Sequence, residues 1–169
     1  MFWLLLRTIC RPNAYIVTFA RRRRWCISTP PTISRDEPVR LFTPQEAIRL
    51  LPDVRVKLKQ IMERKKVADS LRDEVERFSL VGFEVPDSKR KTDQLDAIVK
   101  DLMTQVAELE DLGVKLRDID TGLLDFPARR FGEVVYLCWK YGEQTIEYWH
   151  TANEGFGSRK QFNAQIVSP

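Results

Sequence analysis

The residues best able to do chemistry in this chain of 169 residues lie close together in its last third. The only histidine, His150, and one of the three cysteines, Cys138, fall there. Acidic and arginine side chains surround them in sequence, and these residue types suit proton transfer or the binding of an anion. They are Arg117, Asp118, Asp120, Asp125, Glu143 and Arg159.

An acid–base site would be built from Asp118, Asp125 and His150, with Arg117 and Arg159 as the candidates for binding a ligand. The same histidine with either aspartate is also an alternative ligand set for a divalent ion. The competing interpretation is a structural histidine that is hydrogen-bonded to one of these carboxylates. No catalytic motif of defined spacing accompanies these residues, so the sequence favours a protein that is not an enzyme.

Cys138 and His150 together suggest a metal site, but the predicted strand pairing argues against it. A tight turn at residues 141–143 would pair Cys138 with Ile146 and His150 with Val134. The two side chains would then lie four residues apart along one strand, about 13 Å. We therefore predict no metal site and no cofactor, and we expect Cys138 to be a buried, unreactive thiol.

Two amphipathic helices precede this stretch. Thr43 followed by a proline and by Glu46 has the pattern of a capping box, and Pro52 predicts a kink or a break one turn further on. The second helix is predicted to be capped by Thr92 and to end at Gly113. The apolar stripe of the first helix is Ala47, Leu51, Val54, Leu58 and Ile61, resumed at Leu71, Val75 and Phe78, and that of the second is Leu95, Ile98, Leu102, Val106, Leu109 and Leu112.

The connector between the helices, residues 79–90, contains a glycine and a proline and is predicted to be a loop. Its apolar side chains are unusual for a solvated tip. Leu80, Val81 and Phe83 are therefore the candidates for contact with a protein partner.

The segment after Gly113 has the alternation of short β-strands. The predicted fold class is α+β, with a long antiparallel helical hairpin (43–112, of coiled-coil type) packed on a small antiparallel β-meander of three to four strands (114–150). Residues 41–160 would form this single domain, and residues 161–169 a flexible tail. The strands are predicted at 114–119, at 123–126 with Pro127 ending it, at 134–139 and at 145–150.

Three segments resemble an uncharacterised, mostly bacterial family known only as domain of unknown function number 2203. The resemblance implies the same helical hairpin and sheet, and it carries over no catalytic residue. The long leader departs from the bacterial pattern and points to an organelle-targeted eukaryotic relative. The segments are FTPQEAIRLLPDV at 42–54, GVKLRDIDTGLLDFPA at 113–128 and VYLCWKYGEQTIEYWHTANEGFGSR at 135–159.

The first 40 residues have the composition of an import leader. They hold eight of the 28 basic residues and two of the 24 acidic ones, so the rest carries 20 basic against 22 acidic side chains, a net charge of −2. An arginine-rich, acid-poor segment with interspersed apolar residues is typical of a mitochondrial presequence. We predict that residues 1–40 are a disordered targeting segment and linker, and that the protein works in the mitochondrial matrix. A chloroplast leader and an uncleaved Arg21–Arg24 arm that binds RNA are the alternatives.

The apolar connector and the missing catalytic motif favour a non-catalytic interaction or assembly factor with a protein partner. The alternative is a small enzyme, or an anion- or metal-binding domain, built on Asp118, Asp125, His150 and Arg159. Because the body of the chain is mildly acidic, nucleic acid is not the expected partner, although ribosome or RNA association is a third alternative. No apolar run reaches the roughly 20 residues needed to span a bilayer. The pattern leaves the oligomeric state open.

Overall fold

A computed structural model of the chain divides it into two units, residues 1–38 and 39–169. In the first unit, β1 (Ile16–Ala20) pairs antiparallel with β2 (Arg24–Ser28). This hairpin lies in the segment predicted to be a disordered import leader, and import itself stays a prediction. The residues that the structure describes are 16–20, 24–28, 40–81 and 86–161.

The second unit begins with two long helices, α1 (Pro44–Val81) and α2 (Pro86–Glu110). With its 38 residues, α1 is about 57 Å long at 1.5 Å per residue. Ion pairs join the helices at matching distances from their connection, so the helices run antiparallel, as predicted. These pairs are Lys57–Glu108, Arg64–Asp101 and Glu74–Lys91.

The start of α1 follows the predicted capping box. The backbone N–H of Thr43 donates to a carboxylate oxygen of Glu46 at 2.8 Å, and the Glu46 N–H donates to the Thr43 hydroxyl at 3.3 Å. The break predicted at Pro52 is absent, because the helix continues without interruption through this residue. Leu51 and Val54 on either side of it are buried, so packing stabilises the helix here despite one missing backbone donor, and the alternative prediction of a kink stays a prediction.

The predicted connector is wrong in extent. Helix α1 continues to Val81, and α2 begins at Pro86 rather than after Thr92. A proline is well suited to the first helical position, where its missing N–H costs no hydrogen bond. The Thr92 hydroxyl donates to a carbonyl one turn earlier inside the helix. Leu80 is the second-last residue of α1, and its side chain, that of Val81 and all of Phe83 lie outside the described residues.

The rest of the unit is an antiparallel meander in which each strand pairs with the next. The predicted α+β class is confirmed, with five strands instead of three to four. A short 3-10 helix, Phe156–Ser158, precedes the last strand. The strands are β3 (Lys115–Asp118), β4 (Leu123–Arg130), β5 (Glu133–Lys140), β6 (Tyr148–Thr151) and β7 (Lys160–Gln161). Across the described ranges, no helix is long and apolar enough to span a membrane.

Pro127 does not end its strand, contrary to the prediction. It pairs with Tyr136 in the middle of β4, and its carbonyl accepts a 2.7 Å hydrogen bond from the N–H of Phe42. The carbonyl and the missing N–H of one strand residue point to the same side. The backbone nitrogen and carbonyl of Pro127 therefore point away from β5. The pairing of β4 with β3 does not extend beyond Asp125, so no ladder hydrogen bond is lost at Pro127.

The two faces of the sheet have different roles. The face that carries Phe126 and Trp139 lies against the helical side, where Phe126 meets the ring of Phe42 edge-on at 5.5 Å. Arg55 of α1 lies over the ring of Trp139 at 5.6 Å. Because side chains alternate along a strand, the residues between these positions point to the opposite face. That second face carries Asp125, Tyr136, Cys138, Tyr148 and His150.

Gly122 lies where the turn before β4 closely approaches both Tyr141 and α1. Its φ is +65°, and a Cβ added there would lie 2.5 Å from the Tyr141 Cβ and 3.0 Å from the Met62 sulfur. Gly122→Ala should lower the free energy of unfolding by about 2–4 kcal/mol, from left-handed backbone strain and overpacking together. Urea denaturation followed by circular dichroism measures this.

Gly142→Ala is the matched control, because Gly142 also has a positive φ, +103°, but nothing within 4 Å of an added Cβ. It should lose only the backbone term, about 1–2 kcal/mol. Equal losses in the two variants would show that the close approach at Gly122 has no energetic weight.

Candidate functional site

Strand pairing brings three side chains of different chemistry together on the second face of the sheet. Asp125 lies directly opposite Cys138, and His150 lies opposite Tyr136, two residues along β5 from Cys138. One potential ligand atom from each of Asp125, Cys138 and His150 lies within 4.8 Å of the other two. All three residues are at least 95% buried, with exposed fractions of 1%, 0% and 5%.

The sequence prediction placed Cys138 and His150 too far apart because it assumed a tight turn. Cys138 pairs with Tyr148 and not with Ile146, so the register differs from the predicted one by two residues. The loop that causes this shift is organised by Glu143. Its carbonyl accepts a hydrogen bond from the Trp139 indole at 3.0 Å, and its carboxylate accepts one from a β5 backbone N–H at 2.8 Å. The longer loop moves His150 back alongside Cys138.

Asp125 is the centre of the hydrogen bonds in this cluster. Arg117 donates its Nε–H to one carboxylate oxygen at 2.6 Å, and Nε2 of His150 lies 3.2 Å from the other. The second ring nitrogen of His150, Nδ1, lies 2.8 Å from the backbone carbonyl of Thr151. A carbonyl only accepts, so Nδ1 carries a hydrogen, and the Asp125 contact requires a further proton on Nε2.

The pKa values of the cluster agree with this proton arrangement. The hydrogen bond to Asp125 raises the pKa of His150, against the opposing effect of burial, so the imidazole stays protonated to a higher pH than a free one. Burial raises the pKa of the Cys138 thiol to about 12, and the charge of Asp125 acts in the same direction. At neutral pH, and with no ion at the site, Cys138 is therefore a protonated thiol and a poor nucleophile, in line with the predicted buried thiol.

Arg159 reaches the cluster from the segment after β6. Its Nη1–H donates to the Glu143 carboxylate at 2.9 Å, and its guanidinium lies over the rings of Tyr148 at 4.5 Å and Phe156 at 3.8 Å. Tyr148 lies directly opposite Cys138, so the guanidinium lies beside the cluster, and its positive charge lowers the pKa of Cys138. Of the predicted site residues, Arg117, Asp125, His150 and Arg159 thus meet on one face.

Asp118 does not join them. Its carboxylate accepts the backbone N–H of Asp120 at 2.9 Å and shapes the turn between β3 and β4. Asp120 pairs with Lys65 of α1 at 2.6 Å, which fastens that turn to the helix. Sequence reasoning missed Cys138 as a member of the site and Thr151 as the residue that orients the imidazole. Only the alternation of β5 gave a signal, because it places Cys138 and Tyr136 on one face.

Comparison with known proteins identifies a family but no activity. A family model described as an uncharacterized conserved protein (DUF2203) matches residues 40–162. This range contains both helices and the whole five-stranded sheet. No curated protein and no solved structure matches the chain.

The raised pKa of His150 makes the stability of the ion-free protein depend on pH. The contribution of its Asp125 contact should be fully present below the ordinary histidine pKa of 6.5 and lost as the pH rises through the raised value in the fold. Urea unfolding in the presence of a chelator should thus show the wild-type protein losing stability from pH 6 to pH 8. His150→Gln should lose clearly less, and parallel losses in both proteins would contradict this account.

Proposed function

The chain belongs to the DUF2203 family of uncharacterized conserved proteins, and we propose that its domain binds a divalent transition-metal ion, Zn²⁺ first of all, through Asp125, Cys138 and His150. The observation that carries the proposal is the convergence of the three ligand atoms within 4.8 Å. In a tetrahedral zinc site with ligand distances of 2.0–2.3 Å, the ligands lie about 3.3–3.8 Å apart. A closing movement of about 1 Å therefore makes the site, and thiolate, imidazole and carboxylate are all zinc ligands.

The groups that orient metal ligands in proteins are already in place. A metal-bound histidine typically donates its other ring N–H to a carbonyl or carboxylate, and a metal-bound carboxylate is itself hydrogen-bonded. Nδ1 of His150 donates its hydrogen to the carbonyl of Thr151 at 2.8 Å, so Nε2 remains for the ion. One carboxylate oxygen of Asp125 accepts a 2.6 Å hydrogen bond from Arg117. The other oxygen, which lies next to Nε2 of His150, remains for the ion.

Charge balance also favours a divalent ion. Burial keeps the Cys138 thiol neutral, and the hydrogen bond to Asp125 raises the pKa of His150. When the imidazole is protonated, the trio of carboxylate, imidazolium and thiol has no net charge. A divalent ion that replaces the Nε2 proton and the thiol proton leaves that charge at zero, so it avoids the cost of an uncompensated charge in a buried place.

The interaction or assembly role in the mitochondrial matrix that the sequence favoured stays a prediction. Its proposed contact residues, Leu80, Val81 and Phe83, have side chains outside the described part of the chain. The metal-binding proposal develops the alternative prediction instead, with Cys138 in place of Asp118.

Metal binding is tested on the full chain with Cys10 and Cys26 replaced by serine, so that Cys138 is the only thiol. Added Co²⁺ should bind at one equivalent and give the near-ultraviolet sulfur-to-cobalt absorption of a thiolate ligand. Cys138→Ser should abolish this band, and His150→Gln and Asp125→Asn should weaken binding at least about a hundredfold, since loss of outer partners alone costs 10–100-fold. Elemental analysis of the purified protein reports zinc directly.

Asp118→Asn is the matched control for Asp125→Asn, because Asp118 is a nearby aspartate whose turn hydrogen bond an asparagine can replace. It should leave the affinity for Co²⁺ unchanged. Thermal unfolding shows whether each variant is folded. The proposal fails if the folded protein takes up no stoichiometric metal, or if uptake survives in both Cys138→Ser and His150→Gln.

Proton release is an independent test of the charge argument. Binding of one Zn²⁺ at pH 7 should release one proton from Cys138, and a further fraction of a proton from His150 that grows as the pH is lowered. Calorimetric titration in two buffers with different ionisation enthalpies measures this number. The affinity should rise with pH, and His150→Gln should lower the release to about one proton. A pH-independent affinity would contradict the proposed ligands.

A further inference from the structure

We propose that the metal-bearing face of the sheet also binds a small oxyanion, a carboxylate or a phosphate, between Arg117 and Arg159. This inference rests on the metal site proposed above. Lys115 and Arg117 belong to β3 on one side of the three ligands and lie 5.7 and 4.9 Å from the centre of the Tyr136 ring. Arg159 comes from the segment before β7 on the other side and lies 4.5 Å from the centre of the Tyr148 ring. Aromatic rings thus hold cations on both flanks of the site.

Nearby negative charges do not balance these cations. The carboxylate and the thiolate of the metal site are neutralised by the ion, and Glu143 is already paired with Arg159 at 2.9 Å. Glu110 lies next to Lys115 and Arg117 and accepts the backbone N–H of Leu116 at 3.4 Å. With its charge counted, Lys115, Arg117 and Arg159 still exceed Glu110 and Glu143 by one positive charge. The metal-loaded face therefore keeps an excess of positive charge, and this favours an anionic ligand.

Arg117 has donors to spare for such a ligand. Its hydrogen bond to Asp125 uses Nε, and for its two Nη groups the described residues provide no hydrogen-bond acceptor. The side chain is 35% exposed, so an incoming ligand reaches it from solvent. A guanidinium presents parallel N–H groups that match the two oxygens of a carboxylate or phosphate.

The proposed ion offers a second anchor for the same anion. Three protein ligands leave the fourth position of a tetrahedral zinc ion open. One oxygen of an anion at that position would complete the coordination, while its other oxygens accept hydrogen bonds from the arginines. Arg159 lies over the ring of Tyr148, which is the strand partner of Cys138, and so it lies on the β6 side of the same position.

The test uses the full chain with Cys10 and Cys26 replaced by serine and loaded with Co²⁺, whose visible absorption reports the fourth ligand. Titration with inorganic phosphate, and separately with acetate, should change the spectrum saturably, whereas chloride at equal ionic strength should not. Arg159→Gln should keep one equivalent of Co²⁺ and weaken anion binding about 10–100-fold, the effect of losing a charge-assisted hydrogen bond. Arg117→Gln should weaken anion binding by a similar factor, and it is compared at saturating Co²⁺ because Arg117 also orients Asp125 and its loss weakens metal binding. The stronger of the two anions identifies the phosphoryl or the carboxylate class.

Arg129→Gln is the matched control, because Arg129 lies on the same strand and face as Asp125, four residues and about 13 Å away. It should leave anion binding unchanged. If Co²⁺ binds but neither anion changes the spectrum, or if Arg129→Gln has the same effect as Arg117→Gln, the anion proposal is wrong and the metal site stands. If no metal binds, the metal proposal has failed and this inference fails with it.

Discussion

The central strand β5 fixes the site, because its two neighbours supply the other ligands. Asp125 of β4 lies opposite Cys138, and His150 of β6 lies opposite Tyr136. A shift of β6 by one residue would turn His150 to the helical side. A shift by two towards the register of a tight turn would place it opposite Val134, about 13 Å from Cys138. The loop before β6 sets this register, and Glu143 holds that loop through the indole of Trp139 and a backbone N–H of β5.

The helical hairpin packs against the apolar face of the sheet, and this packing stabilises a sheet whose other face carries a buried polar cluster. Phe126 and Trp139 are fully buried on that side, so hydrophobic burial stabilises the sheet independently of the second face. On the second face, buried polar atoms are tolerated because they are hydrogen-bonded. Asp125 bonds to both Arg117 and His150, and the imidazole is completed by the carbonyl of Thr151.

The same arrangement connects protonation, metal binding and anion binding. Burial keeps Cys138 protonated, and the hydrogen bond to Asp125 raises the pKa of His150. In the proposed metal site, the ion would replace the thiol proton and the hydrogen on Nε2 of His150. In the proposed anion site, Arg117 would be shared between the Asp125 carboxylate and the incoming anion, while Arg159 keeps its ion pair with Glu143.

The sequence by itself determined the elements and their class, because these depend on local periodicity and local hydrogen bonds. The capping box at Thr43, the apolar stripes and the β-alternation after Gly113 are of this kind, and the helical hairpin and meander followed from them. Where the elements end depends on tertiary contacts. Pro127 stays in its strand because the backbone N–H of Phe42, outside the sheet, donates a hydrogen bond to its carbonyl. The union of Cys138 with His150 was likewise decided by tertiary structure alone. It depends on a two-residue difference in the register of β6 against β5, which the hydrogen bonds of the loop before β6 set. The alternation of side chains along the strand is the same in both registers.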